Sequence, residues 1–288
     1  MTARAEVYKP RWAVRVVTAT SLFDGHDAAI NIMRRILQAT GAEVIHLGHN
    51  RSVHEIVDAA VEEDAQGIAV SSYQGGHIEF FKYMVDLLKE KGAPHIKVFG
   101  GGGGVILPEE TQELEAYGVE KIYSPEDGVH HGLQGIINDL VKRIDFPTLE
   151  SGSDFELDQL QPINKPLVAK LISAMELAKT EENGHLAKLR AHISQRLKER
   201  TIPVLGITGT GGAGKSSLTD ELILRFLNDF KELNIGILST DPSRRKSGGA
   251  LLGDRIRMNA ISTERVYMRS LATRKSRTEL SEAIGDAI

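Results

Sequence analysis

The chain has 288 residues, of which 41% are hydrophobic and 26% charged, and this size and composition predict two globular domains, each with its own core. The formal net charge of −4 gives no overall nucleic-acid footprint, and the absence of cysteine excludes disulfides, thiolate metal sites and cysteine nucleophiles. No apolar run approaches the ~18 residues of a membrane span and no signal peptide is recognisable, so we expect a cytoplasmic protein with no membrane partner.

Strand and helix patterns alternate through residues 12–143. Five β–α repeats with short connections indicate an α/β fold of the flavodoxin-like type, with a doubly wound parallel sheet. Ligands of such sheets bind at the carboxyl ends of the strands. Strands are predicted at 13–19, 43–47, 67–71, 96–99 and 121–123, and helices at 27–39, 53–63, 78–91, 108–117 and in a last stretch that ends near Arg143.

A turn-rich linker follows at 146–154, and a charged helical region extends from Leu167 to Arg200 with an interruption at Asn183-Gly184. A second α/β unit begins at Thr201. Its first two strands are predicted near 203–208 and 235–239. The predicted division is a first domain at 1–145, a linker and helical region at 146–200, and the first part of a P-loop NTPase domain at 201–288.

Residues 209–216 read Gly-Thr-Gly-Gly-Ala-Gly-Lys-Ser, a complete phosphate-binding loop of the pattern G-x-x-x-x-G-K-[ST] between an apolar run and a helical pattern at 217–226. Glycines let backbone N–H groups surround an anion, and the helix N-terminus adds its positive dipole end. Lys215 is the expected catalytic cation at the β/γ-phosphates, and Ser216 is expected to help hold Mg²⁺. The expected nucleotide-binding residues are Gly211, Gly212, Ala213, Gly214, Lys215, Ser216 and Ser217.

Two acidic residues after this loop are candidate metal ligands. Asp241 ends the second predicted strand and Asp254 lies 13 positions later, and carboxylates near the phosphates favour a site for Mg²⁺. Gly248-Gly249, between them, predicts a loop that changes conformation with the nucleotide state. The basic residues nearby indicate phosphate contact or a switch segment rather than nucleic-acid binding, because no aromatic residues are interleaved with them. They are Arg244, Arg245, Lys246, Arg255 and Arg257. Arg257 is expected to contact a phosphate or the partner domain.

Nucleotide-binding folds of this kind need a further strand that ends in an acidic or water-positioning residue, and the GTP-specific ones need an N-K-x-D motif. Neither occurs before Ile288, so the chain is expected to be the N-terminal part of a larger protein. Because the N-K-x-D motif is missing, the sequence leaves open whether the bound nucleotide carries guanine or adenine.

Three polar or glycine-rich loops follow strands of the first domain and are expected to cluster. They contain Asp24-Gly25-His26, Ser71-Ser72-Tyr73 and Gly100-Gly101-Gly102. Together they resemble the cobalamin-binding domain of methylmalonyl-CoA-mutase-type enzymes, whose pattern is D-x-H-x-x-G … S-x-L … G-G. Ala29 stands where that family has Gly, and Tyr73 where it has Leu.

The resemblance implies that adenosylcobalamin binds here. His26 would be the lower axial ligand of cobalt, Asp24 would accept the other ring N–H, and Ser71 would bond the displaced nucleotide tail. The glycines Gly100, Gly101 and Gly102 would leave room for the flat base of that tail. The alternatives are a nucleotide- or flavin-binding flavodoxin-like module and a receiver domain, but no G-x-G-x-x-G follows the first strand and Ser71 occupies the position of a phosphoacceptor.

The segment from Gly206 to Met258 resembles the G-protein chaperones of cobalamin-dependent mutases, which carry D-P-S-S-x-x-x-G-G-x-x-L-G-D-x-x-R-M. The order of the two domains resembles the fused isobutyryl-CoA mutase family. This resemblance implies a homodimeric acyl-CoA mutase, acting through a substrate barrel absent from this chain, with a GTPase that gates cofactor loading and uses GTP and Mg²⁺. The alternatives are a stand-alone GTP-dependent cobalamin chaperone and a P-loop kinase with a flavodoxin-like sensor domain.

Overall fold

Five strands and five helices alternate from Arg15 to Arg143. They are seen in a computed structural model that describes residues 5–149, 155, 160–161, 164–178, 187, 190–191, 193–195, 202–274 and 280–288. Every element predicted in this part of the chain is confirmed, with small shifts at the ends. The elements are β1 (Arg15–Ser21), α1 (Ala28–Thr40), β2 (Glu43–Arg51), α2 (Val53–Glu62), β3 (Gly67–Ser71), α3 (His77–Glu90), β4 (Lys97–Gly101), α4 (Pro108–Tyr117), β5 (Lys121–Tyr123) and α5 (Pro125–Arg143).

These strands form a parallel sheet in the order β5-β4-β3-β1-β2, the order of a doubly wound sheet that changes direction between β1 and β3. Side chains that alternate along β1 enter two separate apolar cores. Val17 belongs to the core that contains Phe81 and Met84, and Val16 to the core that contains Phe99. Both faces are therefore covered, and the predicted α/β fold is confirmed.

Two helices begin at serines that close capping boxes. Ser52 Oγ accepts the N–H of Glu55 at 3.3 Å, and Glu55 returns a carboxylate oxygen to the N–H of Ser52 at 2.9 Å. Ser124 and Asp127 do the same at the start of α5. These caps satisfy backbone donors that a helix start leaves open, and so they fix where α2 and α5 leave the strand loops.

The second half of the chain has fewer regular elements. β6 and β8 pair in parallel, and the predictions of a helix at 217–226 and a strand at 235–239 are confirmed. The helical prediction from Leu167 is confirmed as far as Ala178, while the interruption at Asn183-Gly184 lies outside the described residues. The elements are α6 (Lys165–Ala178), α7 (Lys215–Asp229), β6 (Ile235–Asp241), β7 (Ala250–Leu252), a 3₁₀ turn (Arg255–Arg257), β8 (Val266–Ala272) and α8 (Ile284–Ala287). Within the described ranges, no helix is both long and apolar enough to cross a membrane.

The strand predicted at 203–208 is wrong. These residues pair with no strand in the described part of the chain, and the side chains of Val204 and Leu205 are 62% and 70% exposed. An apolar run becomes a strand only when a neighbour takes up its backbone hydrogen bonds. β6 pairs with β8, and neither of these strands takes up the backbone hydrogen bonds of residues 203–208 in the described part of the chain.

Strand β7 joins the sheet of the first domain, although it lies far along the chain. It pairs in parallel with β2, with Glu43 opposite Ala250, so that the sheet has six strands. Gly249 allows this approach, because a Cβ there would lie 2.1 Å from the carbonyl oxygen of Gln38. Ser247 Oγ donates a hydrogen bond to the same oxygen at 3.0 Å. The predicted Gly248-Gly249 loop therefore lies against the first domain.

A cluster of buried charges lies beside this junction, and we call it the charge cluster. Its members come from the starts of β1 and β2, from the end of α2, from α6, and from the segment around β8. Ion pairs connect four arginines with four glutamates: Arg15, Arg255, Arg269, Arg274, Glu43, Glu62, Glu63 and Glu176.

Glu63 occupies the centre of the charge cluster, and its side chain is 0% exposed. One carboxylate oxygen accepts from Arg255 Nε at 2.8 Å and from Ser270 Oγ at 2.9 Å, and the other faces Arg15 at 3.4 Å. Burial alone would raise the pKa of Glu63, but Arg255, Arg15 and Arg269 hold it below its ordinary value. Glu63 is therefore charged at neutral pH, and its charge is balanced by residues from both halves of the chain.

We expect Arg255→Ala to lower the free energy of unfolding by about 3–5 kcal/mol, because Glu62 and Glu63 would stay buried without this partner. Urea unfolding followed by circular dichroism measures the change. Arg225→Ala is the matched control: its side chain is 70% exposed and pairs with Glu221 on the same helix, so the midpoint should barely move. Equal midpoints for the two variants would contradict the assignment.

Candidate functional site

The loops after β1, β3 and β4 meet at the carboxyl edge of the sheet, as predicted. Ser72 connects them, because its Oγ accepts a hydrogen bond from Ser21 Oγ at 2.9 Å and its N–H donates to the Gly101 carbonyl at 2.8 Å. Ser71 lies beneath this junction, buried, with its Oγ 3.5 Å from Thr20 Oγ1. The three loops therefore meet, but the Ser71 hydroxyl faces Thr20 rather than solvent.

Asp24 holds His26 through two hydrogen bonds to the same carboxylate oxygen. Asp24 Oδ1 accepts the backbone N–H of His26 at 2.9 Å and lies 2.8 Å from the ring Nδ1. Burial alone would raise the pKa of Asp24, but hydrogen bonds from the N–H groups of Tyr73 and His26 and from the His26 ring hold it below its ordinary value. An ionised carboxylate can only accept, so Nδ1 carries a proton, and in the neutral tautomer this leaves the lone pair on Nε2. The side chain of His26 is 77% exposed, and its Nε2 has no hydrogen-bond partner in the described ranges.

Tyr73 contacts both members of this pair. Its N–H donates to Asp24 Oδ2 at 2.5 Å, and its ring centroid lies 5.6 Å from that of His26 with the planes inclined by 43°. The ring also lies against Gly103. Sequence reasoning treated Tyr73 only as a departure from the family pattern and missed these contacts. The available signal was an aromatic residue directly after the two serines of this loop.

The glycines after β4 are explained by the protein's own packing. A Cβ at Gly100 would lie 2.6 Å from Phe81 Cζ, and one at Gly102 would lie 2.0 Å from the Ser72 carbonyl oxygen. Gly101 is less constrained, with the nearest atom 3.3 Å from such a Cβ. Room for the base of a ligand is therefore not needed to explain Gly100 and Gly102, although a ligand contact there stays a prediction.

The phosphate-binding loop is open to solvent where it precedes α7. Gly214 takes the left-handed conformation, with φ +84°, directly before the helix begins at Lys215. Lys215 Nζ donates to the carbonyl oxygens of Gly209 at 2.8 Å and Thr210 at 3.0 Å. The lysine therefore lies on its own loop, within reach of an anion bound there. The other predicted loop residues Gly211, Gly212, Ala213 and Ser217 are exposed.

Ser216 and the two predicted acidic residues come together. Ser216 Oγ donates to Asp254 Oδ1 at 3.2 Å. Asp241 Oδ2 is buried with no hydrogen-bond partner in the described part of the chain, and burial together with the charge of Asp254 raises the pKa of Asp241 to about 6. A hydroxyl and two carboxylates that repel each other suit a hard cation. The described residues contain no group of three or more His, Asp or Glu side chains that could hold a metal ion, so such a cation would need phosphate or water oxygens as well.

The structure separates the predicted basic residues. Arg257 Nη2 donates to Asp254 Oδ1 at 3.1 Å, and its side chain is 59% exposed beside the phosphate-binding loop. Arg255 is buried in the charge cluster. The sequence pattern did not reveal this cluster, although Arg15 inside an apolar strand and Glu62-Glu63 at a helix end were signals of buried pairing.

Two family models match the chain in succession. The model described as B12 binding domain matches residues 14–124, and the model described as methylmalonyl Co-A mutase-associated GTPase MeaB matches residues 168–288. The small subunit of 2-hydroxyisobutanoyl-CoA mutase from Aquincola tertiaricarbonis is 32% identical over 38% of this chain and 79% of that subunit. The chain belongs to the B12-binding acyl-CoA mutases. The residues that match the MeaB GTPase model follow those that match the B12 binding domain.

Fused isobutyryl-CoA mutases are similar to nearly all of this chain. That of Geobacillus kaustophilus is 63% identical over 99% of the chain, and that of Cupriavidus metallidurans is 59% identical over 97%. The chain spans about a quarter of the length of these relatives, 26% and 25%. The resemblance predicted from the sequence is therefore confirmed.

The residues of the B12-binding domain fit a cobalt ligand site. An imidazole nitrogen with a free lone pair is a good ligand for a transition metal, and a carboxylate on the other ring nitrogen fixes the tautomer and raises the basicity of the ligand. His26 and Asp24 show this arrangement, and the 77% exposure of the His26 side chain leaves space for a large planar group above it.

We expect Gly102→Ala to destabilise the B12-binding domain by about 1–3 kcal/mol, because the new Cβ would lie 2.0 Å from the Ser72 carbonyl oxygen and push the two loops apart. Gly104→Ala is the matched control, since no atom lies within 4 Å of a Cβ at that position. Thermal unfolding of the two variants measures the difference. Equal melting temperatures would show that the loops are not packed as described.

We expect Asp241→Asn to stabilise the nucleotide-free chain at neutral pH. A carboxyl group whose pKa is raised from 3.8 to about 6 favours folding below pH 3.8, and this contribution is lost as the pH rises through 6. The gain over the wild type should therefore be present at pH 8 and fade toward pH 4 in urea unfolding at each pH. Asp229→Asn, at an exposed position on α7, controls for loss of a carboxylate. A pH-independent difference would contradict the raised pKa.

Proposed function

We propose that this chain is the cofactor-binding and cofactor-loading part of an adenosylcobalamin-dependent acyl-CoA mutase. The observation that carries the proposal is the buried, ionised Asp24 that fixes the His26 tautomer and leaves Nε2 free to bind cobalt. The whole protein, by analogy with its longer relatives, would interconvert isobutyryl-CoA and n-butyryl-CoA as a homodimer. Acyl-CoA would then bind to a barrel outside this chain.

Adenosylcobalamin, when bound, supplies the radical chemistry that a carbon-skeleton rearrangement needs. The residues of this chain bind and orient it. His26 Nε2 would bind the cobalt, and Asp24 would hold the ring proton on Nδ1. Ser71 and Gly100–Gly102, at the same edge of the sheet, are the proposed contacts of the nucleotide tail, and Ser71 would have to turn from Thr20 to reach it.

The MeaB-type domain would bind GTP with Mg²⁺. The amide groups of Gly211–Ser217 would surround the phosphates and Lys215 would move from its own loop to the β/γ-phosphates. Ser216, Asp241 and Asp254 would face Mg²⁺, and Arg257 a phosphate oxygen. Asp254 is followed directly by Arg255, which is anchored in the charge cluster. This adjacency supports a route by which the nucleotide state reaches the B12-binding domain.

Electron paramagnetic resonance of the cob(II)alamin-loaded protein tests the cobalamin part. With ¹⁵N-labelled protein, which distinguishes the imidazole from the base of the cofactor's own tail, we expect ¹⁵N splitting from His26 in the wild type and none in His26→Ala. Cofactor binding should also weaken, because the bond between His26 and cobalt is lost. His54→Ala, an exposed histidine on α2, is the control and should keep the splitting. Splitting from protein ¹⁵N that survives in His26→Ala would refute the assignment.

Calorimetry with a non-hydrolysable GTP analogue and Mg²⁺ tests the proposed nucleotide site. Lys215→Ala should lose affinity because the cation at the β/γ-phosphates is gone, while Lys231→Ala, an exposed lysine after α7, should not. Turnover of isobutyryl-CoA by the full-length protein tests the substrate. A full-length protein that binds both ligands but does not isomerise isobutyryl-CoA would leave only the loading role.

A further inference from the structure

We propose that Tyr73 is a positioning residue that fixes the orientation of the His26 ring before the cofactor arrives. The inference rests on the proposed role of His26 as cobalt ligand. It starts from a limit of the Asp24 contact: one hydrogen bond to Nδ1 sets the tautomer, but a ring that is 77% exposed can still rotate about its side-chain bonds. A second contact is needed to direct Nε2.

The ring of Tyr73 supplies that contact. It lies 5.6 Å from the His26 ring between centroids, within the range of favourable aromatic pairs, with the planes inclined by 43°. The His26 side chain stays 77% exposed beside this contact. No hydrogen bond of the Tyr73 hydroxyl is present among the described residues. The ring itself, rather than the phenol oxygen, is therefore the part that acts on His26.

Three contacts hold Tyr73 in place, so its ring has a defined position beside His26. Its N–H donates to Asp24 Oδ2, the same carboxylate that holds His26. The preceding Ser72 is anchored to the loops after β1 and β4. The ring lies against Gly103, where a Cβ would come within 2.9 Å of Tyr73 Cε1, and the φ of +58° at Gly103 favours glycine as well. The three contacts tie backbone and ring to one geometry.

An imidazole ordered in advance loses less conformational freedom when it binds cobalt. An aromatic pair of this kind corresponds to about a three- to tenfold change in affinity. We therefore expect Tyr73→Ala to weaken adenosylcobalamin binding by about this factor. Tyr73→Phe, which keeps the ring, should bind like the wild type.

The experiment separates an effect through His26 from a direct contact with the nucleotide tail. Affinities for adenosylcobalamin and for adenosylcobinamide, which lacks the tail, are measured by absorption titration of the 288-residue chain. Loss of affinity for both ligands in Tyr73→Ala, with Tyr73→Phe unchanged, supports the positioning role. Loss for adenosylcobalamin alone, no loss at all, or an equal loss in Tyr73→Phe overturns it.

Nuclear magnetic resonance of the cofactor-free chain gives an independent measurement. The ring current of Tyr73 should shift the carbon-bound protons of the His26 imidazole, and Tyr73→Ala should move these resonances while Tyr73→Phe leaves them in place. Unmoved resonances in Tyr73→Ala overturn the proposal. If the wild type binds neither corrinoid, the proposed function fails, but these resonances still decide whether the Tyr73 ring lies against His26.

Discussion

The buried carboxylate of Glu63 is the interaction on which the arrangement of the two halves depends. It could not remain charged at its 0% exposure without arginines from both sides, because a buried unpaired charge costs several kcal/mol. Arg15 comes from the first strand, and Arg255 and Arg269 come from the GTPase side. A displaced GTPase segment would leave Glu63 with Arg15 alone. The charge cluster therefore selects one relative placement rather than merely holding the halves in contact.

The charge cluster and the His26 loop lie at opposite ends of the same strand. Arg15 begins β1, and the loop with Asp24 and His26 leaves its carboxyl end. The seven residues of β1 correspond to about 20 Å. All seven are buried, and packed strands transmit displacement with little compression. The GTPase segment is thus anchored to the strand that presents the proposed cobalt ligand, at the far end from the ligand itself.

Local signals predicted most of the B12-binding domain, and pairing between distant segments accounts for what they missed. Alternating apolar runs located the strands, and the resemblance to the cobalamin-binding pattern implied the hydrogen bond between Asp24 and His26. Whether residues 203–208 form a strand depends on a partner that no local pattern encodes, and the pairing of β7 with β2 joins residues about 200 positions apart. The same holds for the ring contact of Tyr73, which follows from how three loops meet at the edge of the sheet.

The position of β7 has a consequence for any B12-binding domain separated from its GTPase segment. β7 covers the outer side of β2 over the pairs from Glu43–Ala250 to Ile45–Leu252, in a stretch where β2 is fully buried. Without it, β2 becomes an edge strand whose free N–H and C=O groups are a template for another chain, and such edges lead to self-association. In the fused arrangement, the GTPase segment therefore protects the B12-binding domain from aggregation through β2.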